Sequence, residues 1–331
     1  MKRFLDLGDL SREEVLSLLE LARRLEQRPE PRALVGKILG LVFFNPSLRT
    51  LASFQAAMAR LGGSSFVINP GQGSWQFETR PGVVMNGGAA EHVREGIPAL
   101  ASYCDALGIR IFAEGRDLAS DLAETTFNTM ASLIDKPLVN LESAVNHPCQ
   151  ALADWKTLDD LAVPRAGRFV LSWAYHPRAL PLAVPAAALH MAALRGMEVI
   201  VLRPEGFALP AAIMERARRA AAISGGSVRE TSERAATLRG ADVLYVKEWA
   251  ATSCYGDATA DARLRSALTD WCVRGDWFNA APECRVMHCL PVRRNTAIAD
   301  EVLDSARSVV QREAYNRLPA QMAVLHQLLG S

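Results

Sequence analysis

Short apolar runs alternate with helix-patterned segments along nearly the whole 331-residue chain, and no other feature restricts the fold as much. Strands are expected at 37–44, 65–68, 106–112 and 137–141, and again at 168–173, 198–202, 227–230, 242–246 and 285–287. Helical patterns lie between them, at 11–27, 47–61, 91–104, 118–134, 147–161, 184–194, 210–223, 264–268 and 271–279, with a long one at 313–329. Ser11 with Glu14 three residues on reads as a capping box, and Gly62-Gly63 as a helix stop. Strands separated by helices pair in parallel, because the crossover returns each strand in the same direction, and helices then cover both sheet faces. The fold class is therefore α/β, with the second half repeating the architecture of the first. The length is suited to two domains.

Composition narrows the function. Lys and Arg number 37 against 36 Asp and Glu, a net charge of +1, which excludes the strong basic excess of a general nucleic-acid or anionic-membrane binder. No apolar run has the length of a membrane span, and Met1-Lys2-Arg3 leads into Asp6, Asp9, Glu13 and Glu14 instead of a signal core. A cytoplasmic location is expected. The cysteines (Cys104, Cys149, Cys254, Cys272, Cys284, Cys289) form no CxxC pair, so neither a zinc site nor a disulfide framework is indicated.

In open parallel sheets ligands bind beyond the carboxyl ends of the strands. The first strand runs into Asn45-Pro46-Ser47-Leu48-Arg49-Thr50, a polar step into a helix. A helix starting there aims unpaired N–H groups and its positive dipole end at an anion, with two hydroxyls and a cation beside it. Other strand ends carry Arg110, then Glu142 with His147-Pro148-Cys149-Gln150, then Tyr175-His176-Pro177-Arg178, then Lys247-Glu248-Trp249, then His288-Cys289-Leu290-Pro291 with Arg293 and Arg294. Each has an ordinary reading by itself. Ser47 suits a helix cap, His147 a structural histidine, Cys289 a small buried residue, and the arginine pair a solvated surface. The loop 69–90 is too long for a mere connector and so is a candidate functional segment.

As an ordered set, Ser47-Leu48-Arg49-Thr50, His147-Pro148-Cys149-Gln150 and His288-Cys289-Leu290-Pro291 resemble the transcarbamylase family over essentially the whole chain. The resemblance implies two doubly wound domains, carbamoyl phosphate as donor, no metal or organic cofactor, and a homotrimer with active sites shared at subunit boundaries. It sets a carbamoyl-phosphate-binding domain at 1–145, an acyl-ornithine-binding domain at 146–310, and a C-terminal helix at 311–331 returning to the first domain. His-Cys-Leu-Pro is similar to the ornithine-using branch. The Ser-Met-Gly loop that recognises a free α-amino group is missing after Asp242, where Lys247 and Trp249 stand instead, and Trp75 lies in the long loop. Both features resemble enzymes acting on Nα-acylated ornithines. The physics agrees, because an acylated nitrogen has no charge for a buried carboxylate to pair with.

Acetyl-type members carry glutamate where Ala90 stands and lysine where Ala297 stands, and succinyl-type members carry proline at the Ala90 position. Ala90 removes a carboxylate that would repel a succinyl group. N-succinylornithine is therefore the favoured acceptor and N-acetylornithine the alternative. Leu51 replaces an arginine usual in the phosphate motif, and Asn86 and Gly88 replace usual acidic residues, which leaves a catalytically impaired paralogue as a further reading.

The roles implied by the resemblance are specific. Ser47, Leu48, Arg49, Thr50 and Arg317 bind the phosphate, with Trp75 of a neighbouring subunit closing over it. Arg110, His147 and Thr50 act on the carbamoyl oxygen, as the catalytic set, while Gln150 and the carbonyls of Cys289 and Leu290 take the carbamoyl NH₂. Glu142, His176, Arg178, Lys247, Arg293 and Ala90 form the acyl-ornithine side, Arg178 facing a succinyl carboxylate. No nucleic-acid or membrane partner is expected. The rival doubly wound class, a dinucleotide-dependent oxidoreductase, would need a Gly-x-Gly-x-x-Gly turn that neither half contains.

Overall fold

The computed structural model describes residues 1–330; Ser331, the last residue of the expected C-terminal segment, and the side chain of Ala235 lie outside the described residues. The chain divides into two units, one of Met1–Glu114, Ala119–Cys149 and Arg317–Ser331, the other of Gly115–Leu118 and Gln150–Asn316.

In chain order, the first unit is built from β1 (Arg3–Phe4), α1 (Arg12–Gln27), β2 (Ile38–Phe43), α2 (Leu48–Arg60), β3 (Ser64–Ile68), β4 (Phe77–Glu78), β5 (Glu91–His92), α3 (Val93–Ser102), β6 (Ala106–Arg110), α4 (Leu118–Leu122), α5 (Thr125–Ala131), β7 (Leu138–Glu142) and the start of α6 (Pro148–Asp160). Its five-stranded sheet has the order β1-β7-β6-β2-β3, and all its pairings are parallel. The Ser11–Glu14 capping box is present at α1. Strand and helix faces meet in a buried cluster that includes Val42, Ile97, Leu107, Ile109, Phe127, Met130 and Leu138. Fully burying each such larger side chain stabilises by about 1.5–3 kcal/mol.

The structure departs from the sequence reading at identifiable points. The single helix expected at 118–134 is two, because Glu124 between α4 and α5 adopts φ 51°. Its carboxylate there accepts from the Val145 N–H at 3.0 Å and from Asn146 Nδ2 at 3.1 Å, tethering the turn to the segment after β7. The first two residues of the helix expected at 91–104 instead pair with Phe77–Glu78 in a small parallel ladder. Strand β1 is two residues long, too short to show an alternating pattern, and aligns Arg3 with Leu138.

The second unit continues α6 and adds β8 (Arg168–Trp173), α7 (Ala183–Arg195), β9 (Glu198–Leu202), α8 (Ala211–Ser224), β10 (Ser227–Thr231), α9 (Arg234–Leu238), β11 (Val243–Lys247), α10 (Ala258–Ser266), β12 (Arg285–Met287), α11 (Asp300–Leu303) and the start of α12 (Val310–Leu329), which from Arg317 on belongs to the first unit. Its sheet has the order β10-β9-β8-β11-β12, again parallel throughout. Helix α7 is buried on nearly every side, which its Ala-rich composition permits. The helices expected at 264–268 and 271–279 are replaced by α10, begun where Asp257 Oδ1 accepts from Thr259 N at 3.0 Å and Ala260 N at 2.9 Å, and by one tight turn at Gly275–Phe278. Trp271 instead packs edge-on against Trp173 and Trp277. Among the described residues, no helix is long and apolar enough to cross a membrane.

Helix α2, whose first turn is the polar Ser47–Thr50 step, is stopped at its other end by Gly62 with φ +84°. A Cβ there would lie 2.2 Å from the carbonyl oxygen of Pro31, a backbone atom without a soft escape. Gly62→Ala should therefore destabilise the protein by about 1–3 kcal/mol through left-handed strain and overpacking. A urea midpoint unchanged from the parent would contradict this account of the stop.

Candidate active site

In the first unit the strand order reverses between β2 and β6, since the chain moves outward one way to β3 and the other way to β7. That reversal leaves a crevice above the carboxyl ends of the two strands. Register pairs Phe43 with Arg110, so the Ser47–Thr50 step and Arg110 leave the sheet at neighbouring positions. Ser47 is the N-cap of α2, its Oγ accepting from Thr50 N at 3.2 Å. Thr50 is buried and its Oγ1 accepts from Arg317 Nη2 at 3.1 Å. Leu48 is 78% exposed, so its part in the motif is its backbone. Leu51 is half-buried in the first turn with its N–H directed to the Ser47 carbonyl at 3.4 Å, and the cap geometry is intact beside it.

Arg110 is buried and makes two bonds that fix it. Its Nε donates to the Asn45 carbonyl at 3.2 Å, and its Nη1 donates to Glu142 Oε2. His147 Nε2 lies 3.3 Å from the same Glu142 oxygen. Glu142, at the end of β7, therefore bridges the arginine and the histidine. Burial holds the His147 pKa well below the usual histidine range, and the charges of Arg317, Arg110 and Arg49 push it the same way. The ring is neutral, so its one N–H is a hydrogen-bond donor that adds no charge.

The second unit repeats the device. Its strand order reverses between β8 and β11, with Trp173 paired to Lys247. Above these ends, Arg293 Nε donates to His176 Nε2 at 3.0 Å, and His176 Nδ1 lies 2.8 Å from the Arg178 carbonyl and 3.1 Å from the Arg178 N–H. Burial lowers the His176 pKa, with Arg293 and Lys247 adding to the effect. Arg178 itself is exposed. Lys247 Nζ donates to Glu248 Oε2 at 2.7 Å, and His288 Nε2 lies 3.4 Å from Glu248 Oε1. Burial alone would raise the Glu248 pKa, but Lys247 and His288 outweigh it and hold the carboxyl well below its ordinary range. His288 Nδ1 accepts from the Leu290 N–H at 2.9 Å, which fixes the Cys289-Leu290 turn. Gln150 Nε2 donates to Asp154 Oδ1 at 2.7 Å and to Glu313 Oε1 at 3.3 Å.

The first unit thus brings together Ser47, Thr50 and Arg317, and separately Arg110, Glu142 and His147, with Arg49 near enough for its charge to act on His147. The second brings together His176, Arg178 and Arg293, and, separately, Lys247 with the His288 turn through Glu248. Trp75 is 59% exposed, its Nε1 donating to Glu91 Oε2 at 2.8 Å, and Ala90 is exposed near the end of the same loop. Trp249, beside Lys247 in sequence, is core: it is fully buried and its Nε1 donates to the Phe207 carbonyl at 2.9 Å. Asn45, Glu248, Asp154, Glu313 and Tyr245 support these groups and were absent from the sequence-derived set. For Asp154, the available signal was its spacing of four from Gln150 on one helix.

Comparison with known proteins agrees along the chain. Residues 2–160 match the family model described as the carbamoyl-P binding domain of aspartate/ornithine carbamoyltransferase, and residues 184–328 match its Asp/Orn binding domain. The N-acetylornithine carbamoyltransferase of Xanthomonas campestris pv. campestris is 35% identical over 334 residues, spanning 100% of this chain and 98% of that protein. The N-succinylornithine carbamoyltransferase of Bacteroides thetaiotaomicron is 33% identical over 294 residues, 89% of this chain and 88% of its own length. Among solved structures, an N-acetyl-L-ornithine transcarbamylase with a glutamate replaced by alanine, complexed with carbamyl phosphate and N-succinyl-L-norvaline, matches with a TM-score of 0.95 and 35% identity, covering 99% of this chain and 100% of that one.

The two buried neutral histidines make stability depend on pH with a definite sign. Unfolded, His147 and His176 take up protons near about 6.5, whereas folded they resist. Their contribution is therefore complete above that value and lost as pH falls through their lowered folded pKa values. The urea midpoint should drop between pH 7.5 and pH 5, and replacing both with Asn should flatten that slope.

Proposed function

Given that the chain belongs to the aspartate/ornithine carbamoyltransferase family, in its N-acylornithine branch, we propose that it transfers the carbamoyl group of carbamoyl phosphate to the δ-amine of an Nα-acylated ornithine, N-succinylornithine being favoured. The products are an N-acylcitrulline and phosphate, in arginine biosynthesis. The observation that carries the reading is the capped start of α2, joined by Arg317 at Thr50 and emerging beside Arg110 at the reversal point of the sheet. Free helix N–H groups, a hydroxyl and fixed cations are what a phosphoryl group needs.

In this reading Ser47, the amides of Leu48 and Arg49, the Arg49 side chain, the Thr50 hydroxyl and Arg317 hold the phosphate. Arg110, neutral His147 and Thr50 donate to the carbamoyl oxygen, where negative charge grows as the amine attacks; one such donor is commonly worth about 10²–10³ in rate. Gln150 and the Cys289 and Leu290 carbonyls accept from the carbamoyl NH₂. The acceptor amine, with a free pKa of roughly 10.4, has to shed a proton, and the departing phosphate takes it. Glu142, next to Arg110 and His147, is the anionic partner for that amine as it enters. His176, Lys247 and Arg293 hold the rest of the acyl-ornithine. Orienting two substrates in this way needs no covalent enzyme intermediate. The protein works as a cytoplasmic homotrimer in which Trp75 of a neighbouring subunit closes the donor site; the exposure of Trp75 here supports that assignment.

The succinyl preference is supported by three features. Ala90 is exposed and carries no charge, Arg178 offers an exposed cation, and Ala297, where acetyl-type members carry lysine, is fully buried. The solved alanine variant of the acetyl enzyme pairs alanine with a succinyl ligand, and we take the glutamate it lost to be the one that Ala90 replaces. N-acetylornithine is the second reading, favoured by the 35% identity to an acetyl-type relative along the full chain. The intact cap beside Leu51 argues for an active enzyme over an impaired paralogue.

Purified protein given carbamoyl phosphate should form citrulline product fastest with N-succinylornithine, more slowly with N-acetylornithine and not with ornithine. Product from free ornithine alone would sink the acyl reading. Ala90→Glu should shift the ratio of kcat/KM values toward N-acetylornithine by about tenfold, the size of one like-charge contact partly shielded from water. An unchanged ratio would remove Ala90 from the acceptor site.

A further inference from the structure

Resting on the reading that Gln150 receives the carbamoyl NH₂, we infer that Asp154 and Glu313 are positioning residues that fix which end of the Gln150 amide faces the donor, and so make the site choose a carbamoyl group over an acyl group of the same shape. A glutamine side chain is nearly symmetric in outline but opposite in polarity at its two ends: the NH₂ only donates and the oxygen only accepts. Asp154 lies one helical turn from Gln150 on α6, and Glu313 comes from α12. Both take hydrogen bonds from Gln150 Nε2, at 2.7 Å and 3.3 Å. With its nitrogen held by two carboxyl groups, the amide turns Oε1 to the opposite side, where it accepts from the NH₂ of the donor.

The carboxyl groups are themselves fixed. Tyr245 Oη donates to Asp154 Oδ2 at 3.0 Å, and the His288 N–H donates to Glu313 Oε2 at 2.8 Å. Gln150, Asp154, Tyr245, His288 and Glu313 are each at most 2% exposed. Two carboxylates so buried cannot both stay charged. Burial and the charge of Asp154 raise the Glu313 pKa well above the carboxylate range, so Glu313 is the group that holds a proton. Turning the amide over would set Gln150 Oε1 against the Asp154 carboxylate, an acceptor facing an acceptor between two buried side chains. The His288 link also ties the Gln150 amide to the backbone that leads into Cys289 and Leu290, the two carbonyls assigned to the same NH₂.

Two stable phosphonates read this directly: phosphonoacetamide, which has the NH₂, and acetonylphosphonate, which has a methyl group in its place. The parent protein should bind the amide at least about tenfold more tightly by titration calorimetry, since a methyl cannot donate the hydrogen bond that an NH₂ gives to Gln150 Oε1. Asp154→Asn supplies an NH₂ that can bond Oε1 and lets the amide turn over. It should reduce that ratio about tenfold, with little change in the KM for the acceptor. A purely structural weakening would lower binding of both phosphonates together and leave the ratio alone, and that result would overturn the inference. Glu313→Gln, which keeps the acceptor for the His288 amide, reads the same ratio if Asp154→Asn does not fold. Equal binding of the two probes by the parent protein also overturns it. Gln150→Ala separates the two layers: if it leaves the ratio unchanged, the assignment of Gln150 fails, whereas a lost ratio there with a preserved ratio in Asp154→Asn defeats only the role given to the carboxyl pair.

Discussion

The parallel register that sets Phe43 opposite Arg110 is the constraint from which the rest of the first unit follows. Parallel neighbours end on the same side of a sheet, and a reversal of strand order leaves the space above those ends uncovered by a crossover helix. Two sequence-distant segments, the Ser47–Thr50 step and Arg110, emerge there because β2 and β6 are neighbours. Any slip of one residue would turn Arg110 to the other face of the sheet. The second unit applies the same constraint between Trp173 and Lys247, so His176 and Glu248 are also consequences of register.

Charge burial then makes the site rigid. An isolated buried charge is costly, and the two buried strand-end cations Arg110 and Lys247 have fixed partners, Glu142 and Glu248. Buried pairs of this kind add little net stability compared with apolar packing, and their value lies in direction. Arg110 is held at Nε by a backbone carbonyl as well as at Nη1, which leaves its guanidinium plane one orientation. The histidines complete the pattern by staying neutral, so they direct hydrogen bonds without adding to a cluster of positive charge.

The alternation of apolar runs and helices was enough to read both sheets, because strand and helix periods are local properties. Ser47 as a cap and Gly62 as a stop were legible for the same reason. What the sequence hid depended on long-range partners. The break at Glu124 comes from bonds to Val145 and Asn146, which no local pattern encodes. Trp249 stands after a strand in the stretch that replaces the Ser-Met-Gly loop, yet its indole N–H is committed to the Phe207 carbonyl. Glu142 could be named from its strand end, but its bridge to Arg110 and His147 needs three elements to meet. The buried Asp154, Glu313 and Tyr245 group is the extreme case, since its members are separated by 91 residues in one contact and 163 in another between this group and its Gln150 partner.

The chemistry above the second sheet also bears on the form of the acceptor. An unmodified amino acid brings an α-ammonium group as well as its carboxylate, and the ammonium needs an anion. The carboxylate nearest the end of β11, Glu248, is buried and already committed to Lys247 and His288, while the exposed side chains of the neighbouring turns are the cations Arg178 and Arg293. An ammonium entering there meets like charge and no unclaimed partner among these groups. Acylation removes that charge and replaces it with an amide, whose N–H and C=O ask only for single hydrogen bonds. The same cations still suit a carboxylate. The charge pattern therefore favours an acylated acceptor through what it offers as well as through the missing loop, and it does so independently of any motif.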